Sequence, residues 1–271
     1  MGITMTEKPN IWVTSDWHFG HDREFIWKAR GFISVDEMNE YLIACHNAVV
    51  KPDDDVYVLG DLMLGDTEKG LKCVKAMNGK LHIVRGNHDT DRRWELYKSL
   101  PNVVEMDNAI YLKYKKHNFY MSHYISLTGN LEKESLTQMT LNLFGHTHQK
   151  DNFYMDMPYL YHCGVDSHKC FPVNLDDIIK EMHDKVRECK EFLDEPNNEE
   201  ASPVELAETE GIEQVPEPYR AAAINWDYEI QKCDKCVHFR TQCNGPTRYR
   251  PGKCPSGQTY KRDPPDGGYY G

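Results

Sequence analysis

Residues 10–20 read NIWVTSDWHFG. Ile11 to Thr14 form a short apolar run ending in β-branched residues, which predicts a buried strand, and Ser15 opens the loop that follows it. Outward from this strand, Ser34-Val-Asp-Glu37 has the spacing of a capping box, with Ser34 as the cap and Glu37 reaching back. The helix it opens carries Met38, Leu42, Cys45 and Val49 on one face. Asp55–Leu59 and Leu81–Val84 read as a second and a third strand, with a helix around residues 67–77 between them. Strands alternating with helices predict an α/β layered fold. After residue 109 the pattern changes: YLKYKKHNFYMSH predicts a hairpin turning near Lys116-His117, and LNLFGHTH and YLYHCGVD predict two further strands. From about Asp176 a helix places Ile178, Met182, Val186, Cys189 and Leu193 on one face.

Five short strings stand where predicted strands end: Asp16-Trp-His18, Gly60-Asp61, Gly86-Asn87-His88-Asp89, Ser122-His123 and Gly145-His146-Thr-His148. Ligands bind at the carboxyl ends of strands in open α/β sheets, so this shared position points to one site. In an extended segment residues i and i+2 point the same way, so Asp16 with His18, and His146 with His148, are each expected to present two groups to one place. Glycines before Asp61, Asn87 and His146 allow tight turns and close approach. The donors are two Asp, one Asn and four His, without a thiolate. That set suits divalent Mn, Fe, Zn or Ni. It is too many ligands for one tetrahedral zinc and suits two ions sharing a carboxylate, an arrangement that clamps a phosphoryl group and activates water.

In this order the strings resemble the motifs of the calcineurin-like metallophosphoesterases, written D-x-H, G-D, G-N-H-D/E, H and G-H-x-H. SDWHFGH, VKPDDDVYVLGDLMLG, NGKLHIVRGNHD, MSHY and HCGVD are similar to the compact bacterial and bacteriophage branch, over residues 10 to 180. The resemblance implies a layered β-sandwich flanked by helices, and a phosphoesterase, more a phosphodiesterase than a monoesterase acting on nucleotides or phosphoproteins. It implies one metal held by Asp16, His18 and His148 and a second by Asn87, His123 and His146, with Asp61 bridging. It gives His88 the catalytic role of stabilising the transition state or protonating the leaving oxygen, and makes Asp89 the residue that orients His88. The nucleophile it implies is a metal-bridging water or hydroxide, so no side-chain nucleophile is expected. His21 is open between a phosphate contact and a structural helix start. Arg85 reads as a solvated strand-end residue, His82, His117, His162 and His168 as structural or exposed, and Trp12, Trp17, Phe19, Phe25 and Trp27 as core and pocket wall.

Composition and charge divide the chain. The formal net charge is −11, but residues 194–218 hold nine acidic residues and no Lys or Arg, while residues 219–271 hold nine basic and five acidic ones. The expected organisation is a catalytic domain over 1–193, an acidic disordered linker over 194–218 that cannot bury enough apolar surface to fold, and a four-cysteine module over 219–271. In that module Cys233, Cys236, Cys243 and Cys254 begin with a C-x2-C turn, and four thiolates favour a structural zinc, or alternatively an iron–sulfur centre. Its basic residues, interleaved with Phe239, Tyr249 and Tyr260, leave contact with nucleic acid open and make a nucleic-acid-binding scaffold the competing reading. The acidic overall balance argues against a DNA-coating protein. No apolar run is long enough for a membrane span, the N-terminus carries no apolar signal core, and the cysteine pattern suits a reducing compartment. Those features, with a phosphoester as substrate, place the expected protein in the cytoplasm, that of the host if it is of bacteriophage origin.

Overall fold

The computed structural model describes residues 8–130, 132–133 and 135–194. The expected acidic linker beyond residue 194 and the module with Cys233, Cys236, Cys243 and Cys254 lie outside the described residues. Nine strands and five helices order the described part. The strands are β1 Ile11–Thr14, β2 Asp55–Val58, β3 Lys80–Val84, β4 Val103–Asp107, β5 Ala109–Tyr114, β6 His117–Ser122, β7 Thr140–Phe144, β8 Leu160–His162 and β9 Val173–Asn174. The helices are α1 Glu24–Trp27, α2 Val35–Val49, α3 Thr67–Ala76, α4 Asp91–Tyr97 and α5 Leu175–Asp194.

One sheet has the order β4-β3-β2-β1-β9 and the other β5-β6-β7-β8. β1 to β4 run parallel, and β9 closes the first sheet antiparallel to β1. In the second sheet β5 and β6 form the antiparallel hairpin, whereas β6, β7 and β8 are parallel. The predicted α/β sandwich with flanking helices is the observed architecture. Val13, Leu59 and Val84 at the first sheet meet Phe119, Met121, Leu141, Leu143 and Tyr161 of the second in one buried cluster, closed by Leu175, Ile178 and Met182 of α5. Each such side chain contributes about 1.5–3 kcal/mol by leaving water.

Local chemistry explains the boundaries. Ser34 Oγ accepts from Glu37 N at 3.1 Å and caps α2 as the spacing predicts, while the Glu37 carboxylate reaches back one residue beyond the cap, accepting from Ile33 N at 2.7 Å. Asp66 and Thr90 cap α3 and α4 in the same way. The hairpin turns on Lys115 and Lys116, one residue earlier than expected, and both have positive φ (43° and 68°) as a primed two-residue turn requires. β4 and α4 were not anticipated. β4 buries little of either face at the sheet edge, so it shows no alternation, and α4 is a charged helix of seven residues.

The parallel arrangement places the carboxyl ends of β1, β2 and β3 side by side, with those of β6 and β7 against them. Backbone bonds lock the ends together: Asp16 N donates to Gly60 O and His18 N to Asp61 O, both at 3.0 Å, and Gly145 N donates to His123 O at 3.1 Å.

Candidate metal centre

All seven expected donors converge at this edge. The donor atoms of Asp16, His18 and His148 lie within 4.8 Å of one another, and so do those of Asp16, Asp61 and His123. His18 Nε2 faces His148 Nε2 at 3.2 Å. Asn87 Oδ1 faces His123 Nε2 at 2.8 Å and His146 Nδ1 at 3.0 Å. Between the two groups stands Asp61 Oδ2, 3.6 Å from His18 Nε2 and 3.5 Å from His123 Nε2.

The way these side chains converge differs from the expected extended geometry. Asp16, His18, Asp61, His146 and His148 have positive φ, between 48° and 68°, so both two-ligand strings leave the strand conformation before their donors are presented. Five of the seven candidate ligands therefore hold a left-handed backbone. For non-glycine residues this costs on the order of 1 kcal/mol each and clusters at functional sites. The glycines act as expected. A Cβ on Gly60 would lie 2.6 Å from His123 Nδ1, and one on Gly145 would lie 2.5 Å from Asp16 Oδ2. At Gly86 it would fall on the Asp61 carboxylate. These three positions are bare because donors occupy the space a side chain would take.

Tautomers and charges test whether the cluster fits cations. His123 Nδ1 donates to Leu59 O at 2.8 Å and His148 Nδ1 donates to Asp166 Oδ2 at 2.7 Å. Each ring therefore carries its proton on the outer nitrogen and turns an Nε2 lone pair inward. Asp16 Oδ2 is held by Ser15 Oγ at 2.5 Å and His146 N at 2.9 Å, leaving Oδ1 buried without a hydrogen-bond partner. Burial, aided by the Asp16 carboxylate, pushes Asp61 up to about 7. Burial opposes ionisation of Asp16 too, but the neighbouring imidazoles of His148 and His123 hold it below the usual carboxylate range. Burial drives His18 well below its ordinary value, with His148 adding to the effect. Inward lone pairs, an orphaned buried carboxylate oxygen and a carboxylate inclined to keep its proton are what divalent cations would satisfy. Ligand atoms about 2.0–2.1 Å from an ion sit roughly 3 Å apart, close to the spacings found. The residues fit the metals.

Two buried groups that were not among the expected site residues brace the centre. Arg30, 1% exposed, donates to both Asp166 oxygens at 3.1 and 2.8 Å, to Asp16 O at 2.7 Å and to Trp17 O at 3.2 Å. Asp166 in turn holds His148. Burial works against both charges, yet Arg30 and His148 keep Asp166 well below the usual carboxylate range, and Asp166 raises Arg30 and His148. Arg30 and Asp166 are 136 residues apart, and the arginine lies in no motif, so only the fold reveals the pair.

Asp89 differs from its expected role. Its carboxylate accepts from Asp61 N at 2.8 Å, Leu62 N at 3.3 Å, Gly86 N at 2.9 Å and Tyr97 Oη at 2.9 Å. None of these bonds goes to the His88 ring. Asp89 instead ties the Gly60-Asp61 turn to the loop that carries Asn87. A carboxylate surrounded by backbone N–H groups is more strongly held there than by one rim imidazole. His88 stands at the rim, 39% exposed, its Nε2 3.9 Å from Asp61 Oδ2 and its backbone N donating to Asp61 Oδ1 at 2.8 Å.

The remaining positions divide. His21 lies in the turn before α1, its ring 5.6 Å from those of His18 and Phe25, and burial lowers it to about 4. Arg85 donates to Asp89 O at 2.9 Å and pairs with Asp91, so its guanidinium is committed to the chain. His82 is held between Asp55 and Glu105, and His117 meets His183 of α5 at 3.0 Å. His162 is fully buried and close enough to Asp16 to feel its charge, while His168 donates to His162 O at 2.8 Å. Trp17 and Phe19 are core, but Phe25 is 62% exposed and forms no part of it. Cys45, Cys73, Cys163, Cys170 and Cys189 are free thiols.

Residues 10–164 match the calcineurin-like phosphoesterase superfamily domain. The chain belongs to that superfamily. It is a metal-dependent phosphoesterase by that membership. The gene 66 protein of Mycobacterium phage D29 is 27% identical over 203 residues, covering 66% of this phosphoesterase and 98% of the phage protein. An uncharacterized protein of Methanocaldococcus jannaschii is 41% identical over 81 residues, 29% of this chain and 46% of its own length, so the match spans less than half of that relative. The solved structure of an Aquifex aeolicus protein of unknown function aligns with a TM-score of 0.50 at 23% identity, over 64% of this chain and 99% of that one, a likeness of fold. Among the described residues no helix of the phosphoesterase is long and apolar enough to cross a membrane.

Proposed function

We propose that this phosphoesterase hydrolyses phosphodiesters with two divalent cations drawn from Mn, Fe, Zn and Ni. The observation that carries the reading is Asp61 Oδ2, shared between His18 Nε2 at 3.6 Å and His123 Nε2 at 3.5 Å. Asp16, His18 and His148 would hold one ion and Asn87, His123 and His146 the other, with Asp61 common to both. When bound, such a pair supplies positive charge to the phosphoryl oxygens and lowers the pKa of water. Hydrolysis joins the oxygen of water to phosphorus and breaks one ester P–O bond, and the proton that water gives up ends on the departing alcohol. His88 stands at the rim, where its ring N–H would donate a hydrogen bond to that departing oxygen. Its backbone is fixed at both ends, by Asp61 Oδ1 on its N–H and by Arg93 Nη1 on its carbonyl at 2.7 Å.

The rim supports a diester over a monoester. Burial lowers His21, His88 and His146 below their ordinary value, so these imidazoles are neutral near pH 7. Arg85 and Arg93 are turned to Asp91 and to the carbonyls of Asp89 and His88. The second charge of a monoester is commonly met by a free Arg fork or Lys ammonium, which a singly charged diester does not need. The test is hydrolysis of bis-p-nitrophenyl phosphate against p-nitrophenyl phosphate, with each of the four metals supplied and metal content measured. The reading expects about two ions per chain at this centre, besides any held by the tail, and a higher kcat/KM for the diester. Hydrolysis of neither ester with any metal would overturn it, and a faster monoester reaction would overturn its diester part. For the tail the proposal rests on spacing: Cys233, Cys236, Cys243 and Cys254 hold one further zinc, which Cys233→Ser with Cys236→Ser should remove from the full chain.

A further inference from the structure

A cleft of about 460 Å³ opens beside His123, and the proposed metal pair does not fill it. Its walls come from the carboxyl end of β3 at Arg85, the carboxyl end of β6, and Asn108 in the link between the two sheets. It therefore continues from the Asn87–His123–His146 side of the centre into the gap where the sheets part. Tyr124 stands at its mouth, 51% exposed. Its ring lies edge-on to His123 at 5.1 Å and to His146 at 4.8 Å.

The loop that carries Tyr124 is firmly built. Tyr124 O accepts from Ser122 Oγ at 2.8 Å and from Ser126 Oγ at 3.2 Å. The buried Asn142 binds both flanks, accepting from Ser126 N at 2.8 Å and donating to Tyr120 O at 2.9 Å and Ser122 Oγ at 3.0 Å. A large aromatic side chain held at a fixed, open position beside a reactive centre is a feature of recognition more than of packing.

The chemistry of the lining narrows the ligand. Of the described residues that line the cleft none is a carboxylate, although the chain carries a net charge of −11. Its cation, Arg85, is already paired with Asp91. What remains are the amide of Asn108, the hydroxyls of Tyr120 and Tyr124, two tyrosine rings, and the oxygens of Ser122 and Ser126, whose own protons go to Tyr124 O. Neutral donors and acceptors around aromatic faces suit a planar, uncharged, polar group. The cleft is open on one side, and its volume leaves room for one nucleoside-sized arm.

We propose that this cleft is a subsite for a planar aromatic ester arm, an aryl or nucleoside group, of a phosphodiester, with Tyr124 as the residue that stacks on it and sets the preference. The proposal rests on the diester reading, since a second arm exists only in a diester. Its test compares adenosine 5′-(methyl phosphate), which has one planar arm, with glycerophosphoethanolamine, which has none, each followed by chromatography of the products of the metal-loaded full chain. The quantity read is the ratio of their kcat/KM values. The expected ratio favours the nucleoside ester roughly tenfold or more, and Tyr124→Ala collapses it by about that factor through KM, as loss of one base-stacking ring does. Tyr124→Phe keeps the ring and should keep most of the ratio, and Tyr124→Leu serves as a second ringless variant should the alanine chain not fold. A ratio near one in the parent chain, or a ratio that Tyr124→Ala and Tyr124→Leu leave unchanged, overturns the subsite and leaves the diester reading intact. Hydrolysis of bis-p-nitrophenyl phosphate but of neither of these diesters also overturns the subsite, and hydrolysis of none of the three overturns the underlying reading itself.

Discussion

Replacing Asp166 with asparagine removes one buried charge and changes almost no volume. In the parent chain Asp166 Oδ1 accepts from Arg30 Nε at 3.1 Å, and Oδ2 accepts from Arg30 Nη2 at 2.8 Å and His148 Nδ1 at 2.7 Å. An asparagine can keep its carbonyl at the Oδ2 position, but its NH2 then faces the N–H of Arg30 Nε, donor against donor. The opposite flip sets NH2 against two donors and is worse. Either way Arg30, 1% exposed, loses its counter-charge and keeps the carbonyls of Asp16 and Trp17. Breaking a buried pair from one side costs about 3–5 kcal/mol, a large part of a typical 5–15 kcal/mol stability. For a domain of this size that lowers Tm by about 10 °C. The second consequence falls on His148, whose orienting carboxylate is gone, and loss of such a partner weakens metal affinity about 10–100-fold. The loss should fall on one metal equivalent and spare the other, because Asp166 touches His148 and not Asn87, His123 or His146. Urea unfolding of the metal-free chain reads the first effect, and competition with a chromophoric chelator reads the second. The acid limb supplies a further check. Asp166 is held well below its ordinary 3.8, so its stabilisation is present above that value and is lost as pH falls below it; the variant should show a shallower decline there. A change in unfolding free energy below about 1 kcal/mol, with both metals bound as before, would refute the reasoning.

Three further perturbations follow from other parts of the molecule. His46 in α2 is buried, donates through Nε2 to Asn78 O at 2.9 Å, and is pushed by burial down to about 4. The unfolded chain takes up that proton near 6.5, so stability is full above 6.5 and falls by about 3 kcal/mol between there and 4; His46→Gln should remove that share of the decline in unfolding curves taken across this window. Tyr97→Phe deletes the 2.9 Å bond to Asp89 and should cost about 1–2 kcal/mol in denaturant unfolding, while leaving metal stoichiometry at the parent value. Gly86→Ala sets a methyl group on the Asp61 carboxylate and 2.5 Å from Asp61 N, so turnover should drop by about 100-fold or more with the circular dichroism of the parent retained.

How much of this was readable before folding depended on the range of the interaction. β1, β2, β3 and α2 are marked by short apolar runs and a local capping box, and appear within a residue or two of their expected ends. Each donor string ends such an element, so their convergence followed once parallel strands were assumed. Three things were hidden. The left-handed backbone at Asp16, His18, Asp61, His146 and His148 leaves no mark, because the residue is chosen for its donor atom and not for its torsion angles. The Arg30–Asp166 pair joins positions with no shared pattern. Asp89 sits beside His88 in the chain, but the N–H groups nearest its carboxylate are those of Gly86 in its own loop and of Asp61 and Leu62 in another, and a carboxylate follows space.

The left-handed ligands change what a deletion experiment measures. Glycine at His18, Asp61 or His148 would remove a donor and also release a backbone that alanine would leave strained. A metal-free glycine variant can therefore be more stable than its parent while binding no ion, and the alanine variant of the same residue can be less so. The donors at these positions are kept against the preference of the polypeptide itself. Selection for a sturdier apoprotein would erode the centre one left-handed ligand at a time.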